Sequence, residues 1–207
     1  MTASSEGRVL RAALVVASVF LAVPATAQSR EGFLFGIGVG IGSAEASCDQ
    51  CGDDEDDRRN GLAGNVRAGW FLTPHLLLGG ELNVWARRED VAGAESWLYM
   101  YNASATVTLY PSATSGFFLK GGAGVAYLDT DLEVADRVYE LELGRGPGWV
   151  VGAGYDIPLG RVALTPAVNV WGGRIGEVRA RRGGVGVGAL TGWTQQVVDV
   201  TIGITFP

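Results

Sequence analysis

Arg67, Glu81, Arg87 and Lys120 are charged residues set inside stretches that alternate apolar side chains with small or polar ones, and each falls in phase with the small and polar set. Asn65, Asn83, Asn102, Asn169 and Asp199 share that phase. Gathered on one side of a sheet, such residues can do one of two things. Enclosed together, they form a network in which charges and amides satisfy one another or hold trapped water, because an unpaired ion kept out of water is too costly. Arranged around an open bore, they line a polar channel.

Cys48 and Cys51 precede an acidic run, Asp53, Asp54, Glu55, Asp56 and Asp57. A zinc site needs about four ligands, and the sequence supplies neither a second cysteine pair nor a nearby His. The acidic run lacks the ligand spacing and the glycine of a calcium loop, so it reads as a solvated charge run. In an exported chain the two cysteines favour a small loop disulfide. Neither a metal nor a cofactor is expected.

The elements that must position the polar set are short strands, since a period of two sends alternate side chains to opposite faces. Eight segments carry it: 33–42, 62–70, 76–87, 97–109, 117–128, 149–155, 162–170 and one from about 193 to 206. In the first, Phe33, Phe35, Ile37, Val39 and Ile41 oppose Leu34, Gly36, Gly38, Gly40 and Gly42; in the last, Val198, Val200, Ile202, Ile204 and Phe206 oppose Asp199, Thr201, Gly203 and Thr205. The apolar phase of the central segments has no charge, whereas a soluble barrel would turn charge outward. Short connections at Thr73-Pro74-His75, Pro111 to Gly116 and Asp156 to Arg161 alternate with four long ones. That order specifies an up-and-down barrel with short turns at one rim and longer external loops at the other. The connections after Tyr127 and Trp171 look able to extend as hairpins, and Pro166 should force a local bulge. Aromatics cluster near the turn ends (Phe33, Trp70, Phe71, Tyr110, Phe117, Tyr155, Phe206) and near the loop ends (Trp85, Trp97, Tyr99, Tyr127, Trp149, Trp171, Trp193), as two interfacial girdles would require.

The N-terminus reads as a cleavable signal peptide over residues 1–27: Arg8 and Arg11, an apolar block from Ala12 to Val23, then Pro24-Ala25-Thr26-Ala27. The block is well short of the roughly 20 residues of a spanning helix. Removal leaves one barrel domain, 28–207, with 14 basic against 21 acidic residues and a net charge of −7. A basic stripe for phosphodiester backbones is missing, so no nucleic-acid partner is expected. Glycine makes up 31 of those 180 residues, well above the usual roughly 7%, which suits a narrow lumen where small residues leave room for large ones.

From Phe33 to Phe206 the chain resembles the small eight-stranded outer-membrane β-barrel family, the OmpA/OmpX-like barrel domain. The resemblance implies an all-β, eight-stranded antiparallel up-and-down transmembrane barrel in the Gram-negative cell envelope, embedded in outer-membrane lipid. It also implies that Arg67, Glu81, Arg87, Lys120 and Asp199 with Asn65, Asn83, Asn102 and Asn169 fill the lumen as a plug. The run Val198, Val200, Ile202, Ile204, Phe206 is similar to the family's C-terminal signal for the barrel assembly machinery, although Pro207 follows the aromatic. Enzymes on this architecture use a site His; the single His75 lies in a turn beside Pro74, with no Ser placed to pair with it at the external rim, so no catalytic residue is assigned. A non-enzymatic surface role is expected, with the loops available to an extracellular partner; the alternative is a narrow, porin-like channel for small or hydrophobic solutes.

Overall fold

The computed structural model describes residues 30–47, 58–91, 94–134, 137–141, 144–182 and 185–206. Among the described residues ten strands occur: β1 (Gly32–Ser47), β2 (Arg59–Thr73), β3 (Leu76–Val91), β4 (Ala94–Leu109), β5 (Phe117–Val134), β6 (Arg137–Leu141), β7 (Arg145–Tyr155), β8 (Ile157–Leu159), β9 (Val162–Arg182) and β10 (Val185–Phe206). All pairings are antiparallel, in the order β1-β2-β3-β4-β5-β7-β9-β10, and β10 pairs back onto β1 from Phe35↔Phe206 to Ser47↔Thr194. β6 extends the β5 ladder and β8 the β9 ladder at the two ends of β7, so β6, β7 and β8 together make the sixth stave of a closed eight-stranded barrel. Closure leaves no sheet edge at membrane depth, where an unpaired backbone group would find no water.

The two-residue period decides which face is which. Val39, Ile41, Val200 and Ile202 are exposed on the outer wall, while Arg67, Glu81, Lys120 and Asp199 are buried inside. On the lumen side glycine appears where a partner crosses the bore: a Cβ at Gly148 would lie 2.6 Å from Asn102 Nδ2, and one at Gly152 would lie 2.6 Å from Asn169 Oδ1 and 2.8 Å from Lys120 Cε.

As the sequence reading expects, the connections after Tyr127 and Trp171 extend as hairpins, β5–β6 and β9–β10, paired to Val134↔Arg137 and Val185↔Arg182, so the strands run past the segments that alternation marks; two other features differ from that reading. Beyond the lipid both faces meet water, so the ladder continues while the hydrophobic alternation that marked it fades. The β9–β10 hairpin shifts register near Gly176 and Gly192, both at φ 78°, the left-handed geometry that lets a glycine absorb an extra residue. Pro166 causes no bulge. Its register with Ile202 is continuous, and the missing N–H coincides instead with a break in the sixth stave, where Asp156 leaves the ladder and donates its N–H to Gly116 O at 2.9 Å. The aromatics also divide. Phe33, Trp70, Phe117, Phe206, Trp97, Tyr127 and Trp149 are exposed on the outer wall, but Phe71, Tyr110, Trp85 and Trp171 point into the lumen and are buried, since strand parity overrides nearness to a rim.

Candidate functional site

The candidate site is the lumen itself, built in three layers. At the turn end Leu34, Phe71, Leu77, Tyr110, Phe118 and Ala167 form an apolar cluster. Arg30 lies across its mouth, with Cζ 4.0 Å from the Tyr110 ring centroid and hydrogen bonds donated to Ser112 O and Ser115 O. His75, in the β2–β3 turn, has Nδ1 2.8 Å from Tyr110 O, while Tyr110 N donates to His75 O at 2.9 Å. The lone His therefore ties two turns together.

Directly above lies the first charge centre. Arg67 donates to Asp156 Oδ1 at 3.0 Å and to Thr205 Oγ1 at 2.7 Å, and its guanidinium lies 4.9 Å from the Phe118 ring. Asp156 also accepts from Thr165 Oγ1 at 2.7 Å and from Tyr110 O–H at 2.9 Å. A buried ion pair survives only when its remaining hydrogen-bonding capacity is met, and here hydroxyls from three staves meet it.

The second centre is Lys120 with Glu81, whose two carboxylate oxygens accept from Nζ at 2.5 and 2.6 Å. Glu81 is the direct cross-strand neighbour of Arg67, yet it pairs across the bore with β5 rather than along the wall. The third is Asp199, which accepts from Asn169 Nδ2 and Trp171 Nε1, each at 2.7 Å. Asn65 donates to Thr201 Oγ1 at 3.2 Å. Asn102 accepts from Ser104 and donates to the carbonyls of Trp149 and Gly172. Asn83 sits between Asn65 and Asn102 in one cross-strand row, fully buried, with neither amide atom bonded to another group of the protein. An amide so placed is where an internal water belongs.

Toward the hairpin end the lumen turns apolar again: Ala44, Trp85, Met100, Leu128, Val150, Trp171, Ile175 and Val197 form one buried cluster. Trp85 and Trp171 are both 0% exposed, and Trp85 Nε1 donates to Gly42 O at 3.0 Å. The structure thus places eight of the nine polar residues inferred from sequence within the barrel. Arg87 stands apart: it lies one step beyond Trp85 at the rim, half-exposed, where it meets Glu89 at 3.3 Å and Asn60 O. There water competes for the charge, and the enclosed network ends below it.

Asp156, Thr165, Thr205, Tyr110 and Trp171 belong to this interior as well. Parity could have found Asp156, which continues the inward series Gly152, Gly154 by one step past the apparent strand end. Cys48, Cys51, Pro207 and residues 1–27 lie outside the described residues. Among the described residues no group of three or more His, Cys, Asp or Glu is placed to hold a metal ion.

Residues 13–165 match a family model described as outer membrane protein beta-barrel domain. A comparison with curated proteins finds no match to the sequence. Among solved structures, the fold is similar to Ail, the attachment invasion locus protein of Yersinia pestis, in its complex with the heparin analogue sucrose octasulfate: TM-score 0.56 and 11% identity over 84% of this chain and 99% of that one. It is also similar to Neisserial surface protein A, with TM-score 0.51 and 13% identity over 83% of this chain and 96% of that one. At such identities the likeness is one of fold.

Proposed function

Because the chain belongs to the outer membrane protein beta-barrel family, we propose that it is a non-enzymatic surface barrel of the bacterial outer membrane, closed along its axis and working through the hairpins it displays outside. Its lipid-facing belt anchors it, and its two long hairpins, β5–β6 and β9–β10, are the contact elements for an extracellular partner. Residues 1–27 direct export, and Val198, Val200, Ile202, Ile204 and Phe206 engage the barrel assembly machinery.

One observation supports this reading: large side chains follow one another along the bore. The aromatic layer of Phe71, Tyr110 and Phe118, the pairs Arg67–Asp156 and Lys120–Glu81, and the layer of Trp85 and Trp171 lie one above another. A cavity among Gly38, Asn65, Arg67, Lys120, Thr165 and Thr201 measures about 10 Å³, room for a single water. Eight strands leave little free bore once such side chains occupy it.

Planar-bilayer recording on the refolded protein is the test. A closed plug predicts a silent membrane; a stable, voltage-responsive conductance would replace this reading with the narrow channel.

A further inference from the structure

Arg30 stands two positions before β1, yet its side chain is fixed by groups far from that strand. The guanidinium donates to Ser112 O at 3.1 Å and to Ser115 O at 2.5 Å, with Cζ 4.0 Å from the Tyr110 ring centroid. β1 is the first stave, and residues 110–116 connect the fourth to the fifth, so the contact spans the turn-end mouth from one side of the barrel to the other. Beneath it lies the apolar layer of Leu34, Phe71, Leu77, Tyr110 and Phe118.

Both ends of this crossing are prepared for it. Gly32, the first residue of β1, has φ 84°, a left-handed geometry that residues with a side chain rarely adopt, and a Cβ there would meet nothing within 4 Å. Glycine is therefore required here for direction rather than for space, because it turns the chain out of the ladder and over the mouth. On the far side, Ser112 Oγ lies 3.1 Å from Thr114 Oγ1 and Phe117 N donates to Ser115 Oγ at 3.2 Å. The serine hydroxyls are thus engaged within the turn while their carbonyls serve Arg30. A guanidinium suits the position, since one planar group donates to two carbonyls and stacks on a ring at once, which an ammonium cannot do.

The segment 110–116 gathers further ties. Tyr110 N donates to His75 O and Asp156 N to Gly116 O, each at 2.9 Å, from the connection of the second and third staves and from the sixth. Tyr110 O–H donates to Asp156 Oδ2, and Asp156 is the partner of Arg67. Arg30 adds the tie that crosses the mouth, and it rests on the ring that orients the first charge centre.

We propose that residues 30–32 are a strap that latches the turn-end mouth, with Arg30 as the latch and Gly32 as its hinge. Latched, the strap keeps water off the apolar layer and holds Tyr110 against Asp156; released, it leaves the turn end open to small solutes down to that layer. Its two anchors come together only when the first stave and the turn after the fourth stand in one closed barrel, so the latch forms on the closed barrel alone. This goes beyond the surface-barrel reading, which concerns the opposite rim.

The test uses the mature barrel with Cys48→Ser/Cys51→Ser and a reporter, Ala167→Cys, in the apolar layer, refolded in neutral detergent micelles and checked by heat-modifiable gel mobility. Labelling by a membrane-impermeant maleimide should be slow with Arg30 in place. Arg30→Ala should speed it about tenfold, and Arg30→Lys nearly as much, because the charge remains but the fork is lost. Gly32→Ala, which keeps Arg30, should speed labelling as Arg30→Ala does. It should also speed trypsin cleavage after Arg30, read by mass spectrometry, since the protease must draw the arginine side chain into its own pocket. Gly160→Ala alters another left-handed glycine of the same rim, at φ 72° with open space around it, and should leave both readouts at the parent level. Equal labelling with Arg30 and with Ala at this position overturns the proposal, as does an equal acceleration by Gly160→Ala, which would mean a general loosening of the rim. Where Arg30→Ala fails to fold, Gly32→Ala decides by trypsin alone: cleavage after Arg30 no faster than in the parent overturns the strap.

Discussion

The inner and outer faces of the same eight staves are held by different physics. Inside, each buried charge has an assigned partner at a fixed distance, as with Lys120 on Glu81 or Asp199 on Trp171. Outside, Ile37, Val39, Ile41, Val107, Leu119 and Ile202 make no specific bond and are exposed to whatever surrounds them. The interior is therefore stabilised position by position, and one lost partner strands another group. The exterior is stabilised by its solvent, and what matters there is depth in the bilayer rather than identity.

That contrast can be broken by exchange. Lys120→Ala leaves the Glu81 carboxylate buried without a cation, and equilibrium urea unfolding of the refolded barrel should show a loss of about 3–5 kcal/mol. Replacing both partners, Lys120→Met with Glu81→Leu, should recover most of that loss in the same assay, since the penalty belongs to the orphaned ion rather than to the absence of the pair. On the outer face, Val39→Arg at mid-belt should cost about 2–4 kcal/mol when the barrel is unfolded from lipid vesicles, and much less in a polar detergent headgroup region. Trp171→Phe keeps an aromatic side chain but shrinks it and removes the Nε1–H donor to Asp199, with an expected loss of about 1–3 kcal/mol by the same urea titration. Arg87→Gln at the water-exposed rim should change stability by less than about 0.5 kcal/mol; a loss as large as that of Lys120→Ala would extend the enclosed network past Trp85.

The same contrast explains what could be read from the chain. Which face a residue occupies is local information, carried by parity, and it placed Arg67, Glu81, Lys120, Asp199 and the four asparagines inside and the Val198 to Phe206 series outside. Which residue meets which across the bore is not local. It depends on shear and on where opposite staves come to lie, so nothing near Arg67 announces Asp156, 89 residues away. A hairpin after Trp171 is legible in the sequence, but where its strands end is not, because Val162 to Arg182 remains paired after its hydrophobic alternation stops. The lumen tryptophans Trp85 and Trp171 looked interfacial by position along the strand, and only their parity assigns them to the interior.

The account depends most on a lumen closed to water and a wall closed to leakage. Cysteine accessibility reads this directly: Ser104→Cys in the lumen and Thr114→Cys in an exposed turn, each in a Cys48→Ser/Cys51→Ser background, are exposed to a membrane-impermeant maleimide on the folded barrel. Rapid labelling at 114 with none at 104 until urea unfolds the protein is the expected result. Labelling at 104 in the folded barrel at the rate seen for 114 would contradict it.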